Sequence, residues 1–197
     1  MTIPARLLTF IAIALPFALA GCATAPAEGT RRAALPADAG SAVFAATDLA
    51  AAQDAYDAGD RTALATLLDR LRNRGVKPLD ADGEQTVDRW AQAAPESGPP
   101  LRGRALGPGF LRGRLKPEEL RATSQIFLAG KPTEISVAGG KGHPLRLRLL
   151  DAKAKIVCEH EPAYGRSCRF TPIFTQRYSI EIANRGADEA SYYLVFD

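Results

Sequence analysis

The side chains able to do chemistry in this sequence are few, and most stand in pairs or short rows. Cysteine occurs at positions 22, 158 and 168, and histidine at 143 and 160. Cations recur at Arg102, Arg104, Arg112, Arg114 and Lys116, and such a row can meet phosphates, anionic glycans or lipid headgroups. His160 lies between Glu159 and Glu161 beside Cys158, a grouping that could act as a base or as half a metal site. No nucleophile or further ligand accompanies it, so it reads as a solvated hairpin end. His143 precedes Pro144 in a glycine-rich turn. Gly165-Arg166-Ser167-Cys168-Arg169 breaks the nucleophile-elbow pattern at its last position. Asp80-Ala81-Asp82-Gly83 hints at calcium, but a calcium loop set over it would begin at Pro78 and end at Arg89. Glu118 and Glu119, adjacent in a proline-led turn, point apart and make no acid–base pair. The expectation is a protein with no catalytic residues, no metal and no cofactor.

Cys22 closes the strongest pattern in the chain. Met1–Arg6 carries one positive charge, Leu7–Ala18 is an apolar run of 12 residues, and Leu19-Ala20-Gly21-Cys22 follows. A helix of that length spans ~18 Å against a hydrocarbon core of ~30 Å, so the run reads as a cleaved signal segment. Leu19-Ala20-Gly21-Cys22 resembles the lipobox of bacterial lipoproteins. That resemblance implies a diacylglyceryl group on the Cys22 thiol, cleavage before it and acylation of the new amine. The mature chain would then have 197 − 21 = 176 residues. Ala23, where aspartate would favour the inner membrane, implies the outer membrane, with the protein facing the periplasm.

Charge and cysteine parity follow from that assignment. Removing residues 1–21 takes away Arg6 alone, so the formal net charge falls from +3 to +2, too mild to argue for nucleic acid. With Cys22 carrying lipid, Cys158 and Cys168 remain, and an even remainder in an oxidising compartment reads as a disulfide. Zinc is the competing use of these cysteines with His160, but it lacks a Cys-x-x-Cys pair and a fourth ligand.

These groups must be held by two kinds of element. Residues 22–42, rich in Ala, Pro and Gly, read as a flexible tether. Residues 43–94 read as a small helical region of three helices. The first places Leu49, Ala52 and Tyr56 on one face and ends at Gly59. The second, capped by Asp60, carries Leu64, Leu67, Leu68 and Leu71 at helical spacing, and Asp82 with Gln85 is predicted to cap the third. Residues 95–119 read as a Pro/Gly-rich linker. From about 120 the period changes to two, with candidate strands at 124–129, 132–138, 144–150, 154–159, 167–171, 176–183 and 191–196. Leu145, Leu147 and Leu149 alternate with Arg146 and Arg148, a wet row that could pair across to Glu181. The predicted fold class is mainly β: an antiparallel, jelly-roll-like β-sandwich of about seven strands over 120–197, preceded by the helical region.

Two further resemblances attach to particular residues. Phe127-Leu128-Ala129-Gly130-Lys131-Pro132, Leu145-x-Leu147-x-Leu149-x-Asp151 and Tyr178-x-Ile180-x-Ile182-x-Asn184-x-Gly186 resemble the bacterial prepeptidase C-terminal (PPC) domain over roughly 120–197. That resemblance implies a jelly-roll-like sandwich of the kind found beside secreted proteases, some of which bind calcium or polymeric substrates. Arg146 and Arg148 stand where such domains carry an acidic side chain, and two guanidinium groups would repel a hard cation. Ala50 to Leu71 loosely resembles one helical unit of soluble lytic transglycosylases. The expected function is a lipid-anchored, non-enzymatic envelope lipoprotein whose sandwich binds or supports a protein or glycan partner. The alternative is a cell-wall hydrolase, or its accessory, acting on peptidoglycan.

Overall fold

The computed structural model describes residues 35–94 and 107–197. Cys22, Arg102 and Arg104, and with them the signal segment and most of the expected tether, lie outside the described residues.

Three helices come first: α1 Ser41–Asp57, α2 Arg61–Asn73 and, after the two-residue strand β1 Lys77–Pro78, α3 Ala81–Ala93. The helix α2 starts where Asp60 accepts the Ala63 amide at 2.9 Å, and its Leu64, Leu68 and Leu71 are buried. Gly59 and Gly75 take φ of +70° and +67° just past α1 and α2, a left-handed step that glycine makes without a Cβ clash. The cap of α3 is Asp80, whose carboxylate accepts the Gly83 amide at 2.8 Å, two residues earlier than the Asp82 expected from sequence. The α1 face also differs from expectation. Tyr56 is exposed, whereas Ala42, Ala45, Ala46, Leu49, Ala50, Ala52 and Ala55 are buried, because α1 packs on a sheet on one side and on α2 on the other.

Eight further strands follow: β2 Gly109–Leu115, β3 Leu120–Phe127, β4 Thr133–Gly139, β5 Leu145–Leu150, β6 Ile156–His160, β7 Ser167–Phe170, β8 Gln176–Asn184 and β9 Ala190–Phe196. They form two sheets, β1-β2-β9-β4-β7 and β3-β8-β5-β6, antiparallel except for β1 beside β2. The fold is thus mainly β, with a sandwich and a small helical region. Among the described residues the strands number nine rather than seven. The stretch 109–115, expected to be linker, is β2, paired along its whole length with β9 from Gly109↔Phe196 to Leu115↔Ala190. Strand β3 begins at Leu120 rather than 124, and its polar residues on both faces left no alternation to read.

Two cores share the first sheet. Leu115, Ile135, Val137, Tyr192 and Leu194 meet Leu145, Leu147, Leu149, Tyr178, Ile180 and Ile182 of the second sheet. On the other face Phe110, Ala138, Tyr193 and Val195 meet the three helices. The helical region is therefore a third layer on the sandwich rather than a separate unit. Opposite the open β2–β3 side, Cys158 of β6 and Cys168 of β7 form a disulfide that joins the edges of the two sheets, Cα atoms 5.7 Å apart. Asn184, fully buried, has its amide nitrogen 2.7–3.2 Å from the carbonyl oxygens of Leu115, Lys116 and Asp188, tying the end of β2 to the β8–β9 turn.

Tyr193 is the hub of the helix-facing core. Its ring lies 5.9 Å from Trp90 and 6.1 Å from Phe110, its hydroxyl donates to Gln53 Oε1 at 2.8 Å, and burial pushes the phenol pKa up to about 12. The unfolded phenol ionises near pH 10, so this group's contribution to stability is complete below pH ~10 and is lost as pH climbs towards 12. Between those values Tyr193→Phe should lose about 2–3 kcal/mol less stability than wild type by urea unfolding. An identical alkaline loss in both would refute the assignment. Cys158→Ala should cost about 2.5–3 kcal/mol under oxidising conditions and almost nothing under reduction, read as a shift in Tm. The same loss in both conditions would contradict a stabilising role for the disulfide.

Candidate functional site

The cation row of the sequence resolves into a recess. Alternation along β2 sends Phe110, Arg112 and Arg114 to the helix side, and the first of these enters the core. Further along the strand the helices no longer cover the sheet, and Arg112 and Arg114 reach the surface beside α3. Two anchors hold Arg112 in place: its backbone amide donates to Asp80 Oδ2 at 3.2 Å, and its Nε donates to the Tyr193 hydroxyl at 3.4 Å. Asp80 thus caps α3 and fixes β2 against it. Arg89, from the exposed side of α3, and Arg121, from β3, complete a recess of about 370 Å³ also lined by Asp82 and Gln85.

Gly113 lines the recess and lets β2 lie close against Tyr192. A Cβ there would stand 2.5 Å from the Tyr192 ring, so only glycine lets that ring lie across β2. Burial pushes the Tyr192 phenol pKa up, against the opposing influence of the Arg121 charge beside it. At the mouth Arg121 donates to Glu119 Oε1 at 3.0 Å, and Glu119 also accepts the Lys116 amide at 2.8 Å. These two bonds hold the Glu119 carboxyl below its usual range. Arg114 is 63% exposed, and among the described residues its carboxylate partner is Glu189 at 4.0 Å.

Of the five cations singled out by sequence, Arg112 and Arg114 line this recess, and Lys116 lies in an adjoining groove with Glu119 and Arg121. Sequence reasoning missed Arg89 and Arg121. Neither had a local signal, since each joins the site only through the contacts of α3 and β3 with β2.

The other candidates are engaged in the fold. Cys158, His160 and Cys168 offer ligand atoms within 4.8 Å of one another, but both sulfurs are spent in the disulfide and give no thiolate to a soft metal. The His160 ring Nε2 lies 3.0 Å from the Ser167 carbonyl oxygen. Ser167 donates its hydroxyl to Glu134 Oε1 at 2.6 Å, and Glu134 also accepts from Arg169 and from the Ala42 amide at the start of α1. Burial raises the Glu134 pKa, but those three donors outweigh it and leave the carboxyl below its ordinary range. Glu118 and Glu119 face different partners, Arg185 and Arg121. On the outer face of the second sheet Arg148 bridges Glu181 at 3.4 Å and Glu159 at 3.3 Å, the cross-strand pairing expected, with Arg146 at 3.9 Å from Glu159.

No protein-family model matches the chain, and no curated protein is similar to it in sequence. Partial likenesses appear among solved structures. One is PliG of Aeromonas hydrophila, a periplasmic inhibitor of g-type lysozyme: 10% identity, 46% of this chain and 84% of that one, TM-score 0.39. The Yersinia pseudotuberculosis-derived mitogen overlaps to the same extents at 10% identity and TM-score 0.40. The pre-peptidase C-terminal domain of a Bacillus anthracis collagenase has 13% identity over 45% of this chain and 87% of that one, TM-score 0.38. All three are similarities over less than half the chain, and none assigns it a family.

Proposed function

We propose that this protein is a lipid-anchored, non-enzymatic component of the cell envelope whose β-sandwich holds an anionic glycan in the arginine recess. The observation that carries this reading is the convergence of Arg89, Arg112, Arg114 and Arg121, from three separate elements, on one cavity of about 370 Å³. A guanidinium fork presents paired N–H donors that match the oxygens of a carboxylate or phosphate. Arg112 is positioned before any ligand arrives, which lowers the ordering cost of binding. Asp82 and Gln85 supply acceptors and donors suited to sugar hydroxyls around the charged group. Placement in the envelope rests on the apolar run Leu7–Ala18 followed by Leu19-Ala20-Gly21-Cys22.

Purified lipopolysaccharide is a suitable anionic probe. Wild type should bind it more weakly as salt is raised, and Arg114→Ala/Arg121→Ala should lower affinity at least about tenfold at low ionic strength. Both side chains are exposed, so the double variant should keep its Tm. Unchanged affinity in a folded double variant would sink the recess as the binding site. The anchor has its own test: radiolabelled palmitate should enter wild type and be absent from Cys22→Ala, and equal label in both would rule out lipid at Cys22.

A further inference from the structure

Three loops leave one end of the sandwich together. The registers Phe127↔Gln176, Thr133↔Phe170 and Leu150↔Ser179 place loops 128–132, 151–155 and 171–175 at the same end of the two sheets. At the apex stand Leu128, Ile173 and Phe174, exposed by 56%, 82% and 73%, and Ile126 beside them is half exposed. These side chains are not loose. Loop 128–132 is laced to loop 171–175 by the Ala129 amide donating to Thr175 Oγ1 at 3.0 Å and the Gly130 amide donating to the Pro172 carbonyl at 2.8 Å. Directly beneath, Phe127, Phe170, Tyr178 and Phe196 form an aromatic cluster with centroids 5.1–6.4 Å apart. The fold therefore packs one set of aromatic rings and holds a second apolar set out in water, which marks an interaction surface.

Charge at this end identifies its occupant. Lys131, Lys153, Lys155 and Arg177 are exposed around the apex, and none forms an ion pair among the described residues. The acidic side chains are fewer. Asp151 is occupied by the amides of Lys153 and Lys155 at 2.8 and 2.9 Å, Glu134 is paired with Arg169, and Asp197 remains. A projecting apolar tip ringed by exposed cations suits an interface with acyl chains in the middle and anionic headgroups at the rim. A protein partner would instead call for a broad, complementary face depleted of charge at its centre.

We propose that this end of the sandwich inserts Leu128, Ile173 and Phe174 into the surface of an anionic bilayer. The proposal depends neither on lipid at Cys22 nor on the arginine recess. It is tested with Phe174→Trp in the full-length Cys22→Ala chain, mixed with phosphatidylcholine vesicles containing phosphatidylglycerol and brominated acyl chains. Trp90 is fully buried and gives a constant background. The introduced indole should shift to the blue and be quenched, and Lys153→Gln/Lys155→Gln should weaken the apparent partitioning by about threefold to tenfold. Adding Arg114→Ala/Arg121→Ala should leave the quenching unchanged, which separates this surface from the recess. An indole that stays unquenched while the chain sediments with the vesicles would overturn the proposal. So would protection only by protein extracted from envelopes, which would assign the tip to a protein partner.

Discussion

Strands β4 and β9 have no wet side, and the rest of the architecture answers that constraint. From Ile135 to Gly139 every residue of β4 is buried, and β9 is buried from Tyr192 to Val195. Alternate residues enter different cores: Tyr192 and Leu194 face the second sheet, while Tyr193 and Val195 face the helices. Backbone alternation makes this unavoidable once such a strand lies in the middle of a sheet. The helix α1 must therefore lie on that face, and its alanines at 42, 45, 46, 50 and 52 let it come close. Glu134 fixes its start, since the same carboxylate that takes the Ala42 amide also takes Ser167 and Arg169 of β7. A side chain on Gly40 would collide with that carboxylate.

This explains why the helices and the sandwich looked separable in the sequence. An alanine-rich segment has no marked apolar face, and the face read from residues 43–58 (Leu49, Ala52 and Tyr56) gave no sign of the sheet that α1 packs on. Strands β5 and β8 were legible because each has one face in and one face out, with Arg146, Arg148, Ser179 and Glu181 marking the wet side. Strand β2 was not. Its apolar residues belong to two cores, Phe110 to one and Leu115 to the other, and Gly113 interrupts the alternation to make room for Tyr192. The disulfide followed from counting cysteines, which is independent of any strand assignment.

The recess has the same origin as the constraint. Where α1 covers the first sheet, the helix-facing residues of β9 and β4 are apolar. At β2, near the margin of that cover, the same face carries Arg112 and Arg114, and α3 turns Arg89 towards them. Charges along a margin also discourage pairing with another chain, and exposed Lys116 and Arg121 suit that role. Arg112 exceeds it. A residue needed only to repel a neighbouring strand has no reason to be half-buried, with its backbone amide on Asp80 and its Nε on the most deeply set tyrosine of the core. Half of the site was legible as a cation row because those residues are close in sequence; Arg89 and Arg121 arrive by tertiary contact.

The loop-bearing tip stands at one end of the sandwich, and the described chain begins at the other. Leu35 packs beside Gly165, and the Ala163 amide donates to Leu145, so the chain enters at the end of the sandwich opposite the tip. The strand β8, nine residues long, sets the distance between the two ends at about 30 Å. The arginine recess, on the β2–β3 side of the sandwich, shares no lining residue with that tip.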